Sequence, residues 1–177
     1  MRRKTKEVDI IVEIGIEGEI NTRDRVLDHL LTALFFYMQE KANVKAKWDL
    51  RHHLWEDLGI VLGEELKEKI KGKKIARFGN AIMPMDDALV LVAVDISGRA
   101  YASVELAPEE GEEGFELTLV REFLWALART LNATIHMKQL SGVNAHNVIE
   151  AAFKGLGVAL RKALRESKRL ESTKGVL

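Results

Sequence analysis

Five histidines, His29, His52, His53, His136 and His146, carry most of the sequence's chemical potential. Three of them belong to an element that occurs twice, His52-His53-Leu54-Trp55-Glu56 and His146-Asn147-Val148-Ile149-Glu150. On a helix, residues four apart share a face one turn from each other. His52 with Glu56, and His146 with Glu150, therefore have the spacing of an imidazole–carboxylate clamp for a divalent metal. His53 lies three residues before Glu56, points to a neighbouring direction and is a candidate for a second ion. A single element of this kind is ordinarily a solvated helix face. Its recurrence in both halves of the chain favours metal binding. There is no cysteine, so thiolate sites and disulfides are excluded, and imidazole and carboxylate donors suit manganese, iron, zinc or nickel. His29, beside Leu30 and Leu31, and His136, alternating with Lys138, would each be an ordinary structural histidine if considered alone.

A second set of residues points to an anionic ligand. Arg77 in RFGN, Arg99 in SGRA and Lys174 in STKG each stand beside glycine and small polar residues. Arginine offers a bidentate contact to phosphate, and backbone amides in such turns complete a cradle. With metal ligands nearby, these residues suggest a phosphorylated substrate.

The elements that must position these groups repeat as well. Val8–Ile16 alternates up to a turn at Gly18, and Leu89–Ile96 does the same up to Gly98. Apolar helices are predicted over Val26–Met38 and Leu119–Leu131, the second with Val120, Phe123, Leu124, Leu127 and Leu131 at helical spacing. Short strands follow at Val44–Trp48 and Thr134–Leu140. Helices then run from the histidine elements to about Ile70 and Leu164, with Gly63 and Gly157 each seven residues beyond the glutamate. Four elements matching in order and type indicate a duplication. The expectation is an α+β fold of two half-domains, 1–85 and 86–177, each a small, mostly antiparallel sheet with two helices on one face. Lys71–Pro84 reads as the connection, Ala107–Gly114 as a solvated loop, and the end of the chain as a non-helical tail.

Twenty-seven basic residues balance twenty-seven acidic ones in 177 residues. That balance argues against broad nucleic-acid binding. The basic N-terminus is followed by a charged strand pattern rather than a signal-peptide core, and no segment reaches membrane-span length. A cytoplasmic protein with no membrane role is expected.

At this level the chain resembles the imidazoleglycerol-phosphate dehydratase family along nearly its whole length. The resemblance runs from Arg3-Lys4-Thr5-Lys6-Glu7 to Ser172-Thr173-Lys174-Gly175-Val176-Leu177. It includes LDH at Leu27–His29, HHxxED at His52–Asp57, RFG at Arg77–Gly79, PMDDA at Pro84–Ala88, DISGR at Asp95–Arg99, and NAHxxxE with FK over Asn144–Lys154. The resemblance implies a metal-dependent lyase of histidine biosynthesis that dehydrates D-erythro-imidazole-glycerol phosphate to imidazole-acetol phosphate. It also implies a homo-oligomer of 24 subunits built from trimers, with two Mn2+ ions per active site at subunit interfaces. The family's metal ligands fall on His29, His52, His53, Glu56, His136, His146 and Glu150. Its substrate and phosphate contacts fall on Glu7, Arg77, Arg99, Ser172, Thr173 and Lys174. Glu150 is the preferred catalytic base, with Glu7 assisting from a neighbouring subunit.

The chain also departs from the family pattern. Asn147 stands where relatives have a second histidine, and an amide oxygen is a poorer ligand than imidazole, so one ion is expected to be held more weakly or differently. The segment Asp49-Leu50-Arg51 is shorter than usual and lacks an acidic residue beside His52, while Ala33 and Tyr37 replace a glutamine and a histidine. Two alternatives stay open on these grounds: a catalytically weakened homologue with the same fold, and a different His/carboxylate metal-dependent hydrolase.

Overall fold

Val8, Ile10 and Val12 alternate with Asp9, Ile11 and Glu13, and the chain here runs as a strand that buries the first set against helices. The same pattern, Val90, Val92 and Val94 inward, recurs 82 residues later. The structure is a computed structural model and describes residues 1–107, 114–169 and 171–172. Its first half contains β1 (Arg2–Lys4), β2 (Val8–Ile14), β3 (Ile20–Asn21), α1 (Arg25–Met38), β4 (Ala42–Trp48) and α2 (Arg51–Ile70). The second contains β5 (Phe78–Met85), β6 (Ala88–Asp95), β7 (Tyr101–Glu105), α3 (Leu117–Leu131), β8 (Thr134–Ser141) and α4 (Ala145–Leu164).

The two sheets have one topology, β1-β2-β4-β3 and β5-β6-β8-β7. In each, the last pair is parallel and the others are antiparallel. The duplication predicted from order and type is thus present in the hydrogen-bond ladders themselves. One expectation is corrected. Lys71–Pro84 is not merely a connection, because Phe78–Met85 forms β5, which pairs with β6 along its length. The change from first sheet to second therefore falls before Phe78 rather than at residue 85. Most of the loop expected over Ala107–Gly114 lies outside the described residues.

The helices lie between the sheets, α1 against α4 and α2 against α3. Trp55, Phe123 and Phe153 meet at the centre with ring centroids 5.5–6.5 Å apart, from α2, α3 and α4 respectively. These rings are fully buried, and such side chains each contribute on the order of 1.5–3 kcal/mol through burial. The glycines repeated in the sequence now have a reason. A Cβ on Gly157 would sit 2.3 Å from the Leu34 carbonyl oxygen, and one on Gly63 would sit 2.8 Å from Thr130 Cβ. Each glycine lets paired helices approach closely, α4 to α1 and α2 to α3. Gly157→Ala is expected to cost about 1–3 kcal/mol through overpacking. A thermal melt reads this directly, and an unchanged Tm would contradict the packing argument.

Both helix pairs run parallel, and all four helices begin at one end of the molecule. Asp24 caps α1 by accepting from the amides of Val26 and Leu27 at 3.1 and 3.3 Å. Arg51, the first residue of α2, donates to Asp24 at 2.6 Å and to Glu116, the residue before α3, at 2.6 Å. Phe115 lies tilted against His146 of α4, with centroids 4.7 Å apart. Four helix N-termini give this end a positive field that favours anionic groups. Among the described residues no helix is long and apolar enough to cross a membrane.

Candidate functional site

His29, His146 and Glu150 converge at this end. His29 projects from the second turn of α1, and His146 and Glu150 lie four apart in the first turns of α4. Glu150 Oε2 lies 2.8 Å from His29 Nε2 and 2.9 Å from His146 Nε2. Its other oxygen takes Lys154 Nζ at 2.8 Å. Glu150 is only 7% exposed. Burial pushes its carboxyl up, but hydrogen bonds from Lys154 and His29 outweigh burial and hold it below the usual glutamate value. The carboxylate is therefore charged at neutral pH.

The ligand atoms of these three residues all lie within 4.8 Å of one another, the only such trio among the described residues. Two imidazole nitrogens and one carboxylate oxygen suit a first-row divalent cation. The two histidines of the trio line a cleft of about 570 Å³ together with Arg25, Val26 and Phe115, and Glu150 lies buried behind them. The trio draws one ligand from the first half and two from the second, which fold together within a single chain.

The other expected ligands do not join it. His52 and His53 lie side by side at the start of α2, with centroids 4.2 Å apart. His53 Nδ1 lies 2.8 Å from Asp49 Oδ1. That hydrogen bond, opposed by burial and aided by the nearby charge of Glu7, raises the His53 imidazolium above its ordinary value. Glu56 has the same spacing from His52 as Glu150 from His146, yet it pairs with Arg129 of α3 at 3.4 Å. His136 faces outward on β8 beside Tyr101, with centroids 5.5 Å apart.

The expected phosphate contacts lie elsewhere again. Arg77 grips Asp95 with two bonds of 2.6 and 3.0 Å and donates to the Glu171 carbonyl at 2.8 Å. Its backbone amide bonds to Ala163 near the end of α4, about 20 Å along the helix from Glu150 at 1.5 Å per residue. In one chain, then, Arg77 anchors the tail rather than facing the cleft. Ser172 belongs to this region through the neighbouring Glu171, Arg99 is exposed on the β6–β7 turn, and Thr173 and Lys174 lie outside the described residues. Glu7 sits by Asp49, whose amide donates to its carbonyl at 3.1 Å.

Asn147, in the position matching His53, is docked rather than free. Its Nδ2 donates to Asp87 Oδ1 at 2.8 Å. The other Asp87 oxygen accepts from the amides of Val143 and Asn144 at 2.6 and 3.2 Å. These three donors hold the Asp87 carboxyl down at about 2. Several contributors carried a signal that sequence reasoning passed over: Lys154 is four beyond Glu150, and Arg25 four before His29. Phe115 and Asp87 reach the site only through tertiary folding.

Comparison with known proteins gives matches along the whole chain. Residues 22–160 match the family model described as imidazoleglycerol-phosphate dehydratase. The chain is 64% identical to the imidazoleglycerol-phosphate dehydratase of Pyrococcus furiosus over 177 residues, covering all of both. It is 41% identical to that of Metallosphaera sedula, covering 99% of this chain and 96% of the relative. A crystal structure of the Pyrococcus furiosus enzyme superposes with a TM-score of 0.97 over the whole of both chains. One from Staphylococcus aureus, 34% identical, gives 0.82 over 94% of this chain and 98% of that one. A duplicated sheet topology, a His–His–Glu trio at the helix N-termini and matches spanning the entire chain have one reading: the chain belongs to the imidazoleglycerol-phosphate dehydratase family.

Proposed function

We propose that the protein dehydrates D-erythro-imidazole-glycerol phosphate to imidazole-acetol phosphate, a manganese-dependent step of histidine biosynthesis in the cytoplasm. The observation that carries this reading is the convergence of His29, His146 and Glu150 on one another, with both histidines lining an open cleft. The reaction removes a hydroxyl from the carbon attached to the ring and a proton from the next carbon, and the resulting enol becomes the ketone. That proton is not activated by any carbonyl. His29, His146 and Glu150 would hold divalent manganese, which would supply Lewis acidity toward the imidazole ring.

The chain's own residues do the rest. Lys154 holds Glu150 Oε1 on the side away from the two imidazoles, so the carboxylate is ionised and aimed when the substrate enters. Glu150 is the base, and Glu7 of a neighbouring chain assists. Phe115 offers an apolar face beside His146 on which a heteroaromatic ring can rest. His52, His53, Glu56 and His136 of adjoining chains would complete two ion sites, and Arg77, Arg99, Ser172, Thr173 and Lys174 would supply the phosphate contacts. The distance between the trio and Arg77 within one chain supports a site built between chains, in a 24-subunit particle made from trimers.

A second reading is a weakened homologue, favoured by the docking of Asn147 onto Asp87, which leaves an amide where the first half has an imidazole. Metal content and turnover measured together, with manganese added, decide between them. Turnover with about two ions per chain upholds the active enzyme. If neither metal nor turnover is found at high manganese, the proposal fails. One ion with low turnover, both raised by Asn147→His, marks the weakened homologue. Dissociating the particle should release metal, and a monomer that keeps two ions would refute the shared site.

A further inference from the structure

We propose that Asn147 holds a divalent cation through its amide oxygen and that Asp87 is the positioning residue that orients the amide, roles that rest on the manganese-dependent function proposed above. Asn147 follows His146 directly, so it lies about 100° round α4 from the face that carries His146 and Glu150. It therefore addresses a different ion from the trio. Its Nδ2 donates to Asp87 Oδ1 at 2.8 Å. An ionised carboxylate only accepts, so the planar amide turns its nitrogen to Asp87 and its oxygen to the opposite side.

The first half of the chain repeats this arrangement with other residues. His53, in the matching position on α2, has Nδ1 2.8 Å from Asp49 Oδ1. An imidazole that donates from Nδ1 to a carboxylate keeps Nε2 as its acceptor, the form in which histidine binds metal. Asp49 stands four residues before His53, whereas Asp87 stands sixty before Asn147 and arrives from another strand pair. Two carboxylates unrelated in chain position thus take the same part, each binding the N–H side of the second motif residue. Such a charge-assisted bond also moves electron density toward the other donor atom, which strengthens it as a ligand.

Asp87 is held in place for this part. With Asp86, at φ 47°, it forms the two-residue turn between β5 and β6. Ser141 Oγ donates to the Asp87 carbonyl at 3.2 Å. A Cβ on Gly142 would sit 2.8 Å from Ala88 Cα, so the β8–α4 connection lies tight against the turn. The start of α4 does not depend on the Asn147 side chain. Asn144 caps the helix by accepting from the Asn147 amide at 3.1 Å, and the second Asp87 oxygen accepts from the Val143 and Asn144 amides. What the Asp87–Asn147 bond adds is orientation. It also bears on the choice of ion: carbonyl and carboxylate oxygens suit manganese, while imidazole favours zinc and nickel. Asparagine here biases this ion toward manganese.

The test counts bound metal per chain on the assembled protein at a series of fixed free Mn2+ concentrations, with and without competing Zn2+. Melting of the chelator-treated protein is followed alongside. Asp87→Asn keeps an oxygen for the Val143 and Asn144 amides but faces Asn147 with an NH2 group, which reverses the Asn147 amide. It is expected to weaken one manganese ion by about tenfold to a hundredfold and leave the other unchanged. Asn147→Leu, which removes the oxygen at similar volume, should weaken the same ion at least as much. Combining Asp87→Asn with Asn147→Asp exchanges the two groups, again turns an oxygen away from position 87 and should restore the ion. Asn147→His should keep both ions but let zinc displace manganese at lower concentration than in the wild type. Manganese binding unchanged in Asn147→Leu and Asp87→Asn overturns the proposal and leaves the proposed function standing. Loss of both ions together with a lowered melting temperature of the metal-free variants also overturns it, because Asp87 is then a structural residue. A double variant that binds no more manganese than Asp87→Asn alone denies Asp87 the orienting role. A wild type that binds no manganese refutes the proposed function itself, and the role of Asn147 with it.

Discussion

Replacing Glu150 by Gln should lower turnover of imidazole-glycerol phosphate by about 10³-fold or more and reduce bound manganese, while the fold persists. The substitution preserves shape and removes charge, so its effects report chemistry rather than packing. In the protein, Oε2 accepts from two imidazole Nε2 atoms and Oε1 from Lys154. A glutamine can accept at only one of these positions, and its NH2 would face either two histidines or an ammonium. Loss of a general base alone costs about 10²–10⁴ in rate, and loss of the single charged ligand in the trio adds weaker metal binding. Because base and ligand are one residue, the two losses are not expected to add as independent terms. Circular dichroism and particle size serve as controls for folding. A variant that retains more than a tenth of wild-type turnover would remove Glu150 from the role of base and shift attention to Glu7.

The same residue illustrates what local spacing can and cannot disclose. His146 and Glu150 are four apart on α4, and they touch as that spacing predicts. His52 and Glu56 have identical spacing but no such contact, because Arg129 arrives from α3 and takes the carboxylate. Sequence separation sets which residues share a face, and tertiary neighbours decide where a charged side chain turns. His29 joins the trio for the same kind of reason. No spacing to another ligand marks it, only the family resemblance of Leu27–His29, and the packing of α1 against α4 brings it to Glu150.

The strand hidden in Lys71–Pro84 had a different cause. In β5 the inward positions are Gly79 and Ala81, then Met83 and Met85, while Phe78 and Ile82 face out, 55% and 61% exposed. A Cβ on Gly79 would fall 1.9 Å from the Ala159 carbonyl oxygen, so α4 packs too closely for a larger residue there. Hydrophobic alternation is thus inverted in size, with small residues inside and large ones outside, and the strand loses its usual signature. Pro84 deepened the disguise, although an edge strand tolerates proline. The exposed Phe78 and Ile82 are also what a face buried between subunits would present.

The second large effect concerns the framework rather than the chemistry. Asp24→Ala should destabilise the protein by about 3–5 kcal/mol, since it strips the partner from a partly buried charge. Asp24, 7% exposed, receives Arg51 Nε at 2.6 Å and Nη2 at 3.2 Å, the indole N–H of buried Trp55 at 3.0 Å, and the amides of Val26 and Leu27. Burial raises its carboxyl, but Arg51 and Trp55 more than reverse that and leave it below the usual aspartate value. Removing it uncaps α1, a loss of about 0.5–2 kcal/mol included in the total, leaves the indole N–H without its acceptor, and leaves the guanidinium with Glu116 alone. At roughly 2–4 °C per kcal/mol for a domain of this size, Tm should fall by on the order of 10 °C. Glu116→Gln, at the more exposed end of the same network, should move Tm far less, because water replaces what Arg51 loses. Asp24 also ties the start of α1 to the start of α2, the two places that carry His29, His52 and His53. Metal retention should therefore decline together with Tm in Asp24→Ala. A variant melting within 2 °C of wild type would show that the helix N-termini are held by packing alone and that this polar junction is dispensable.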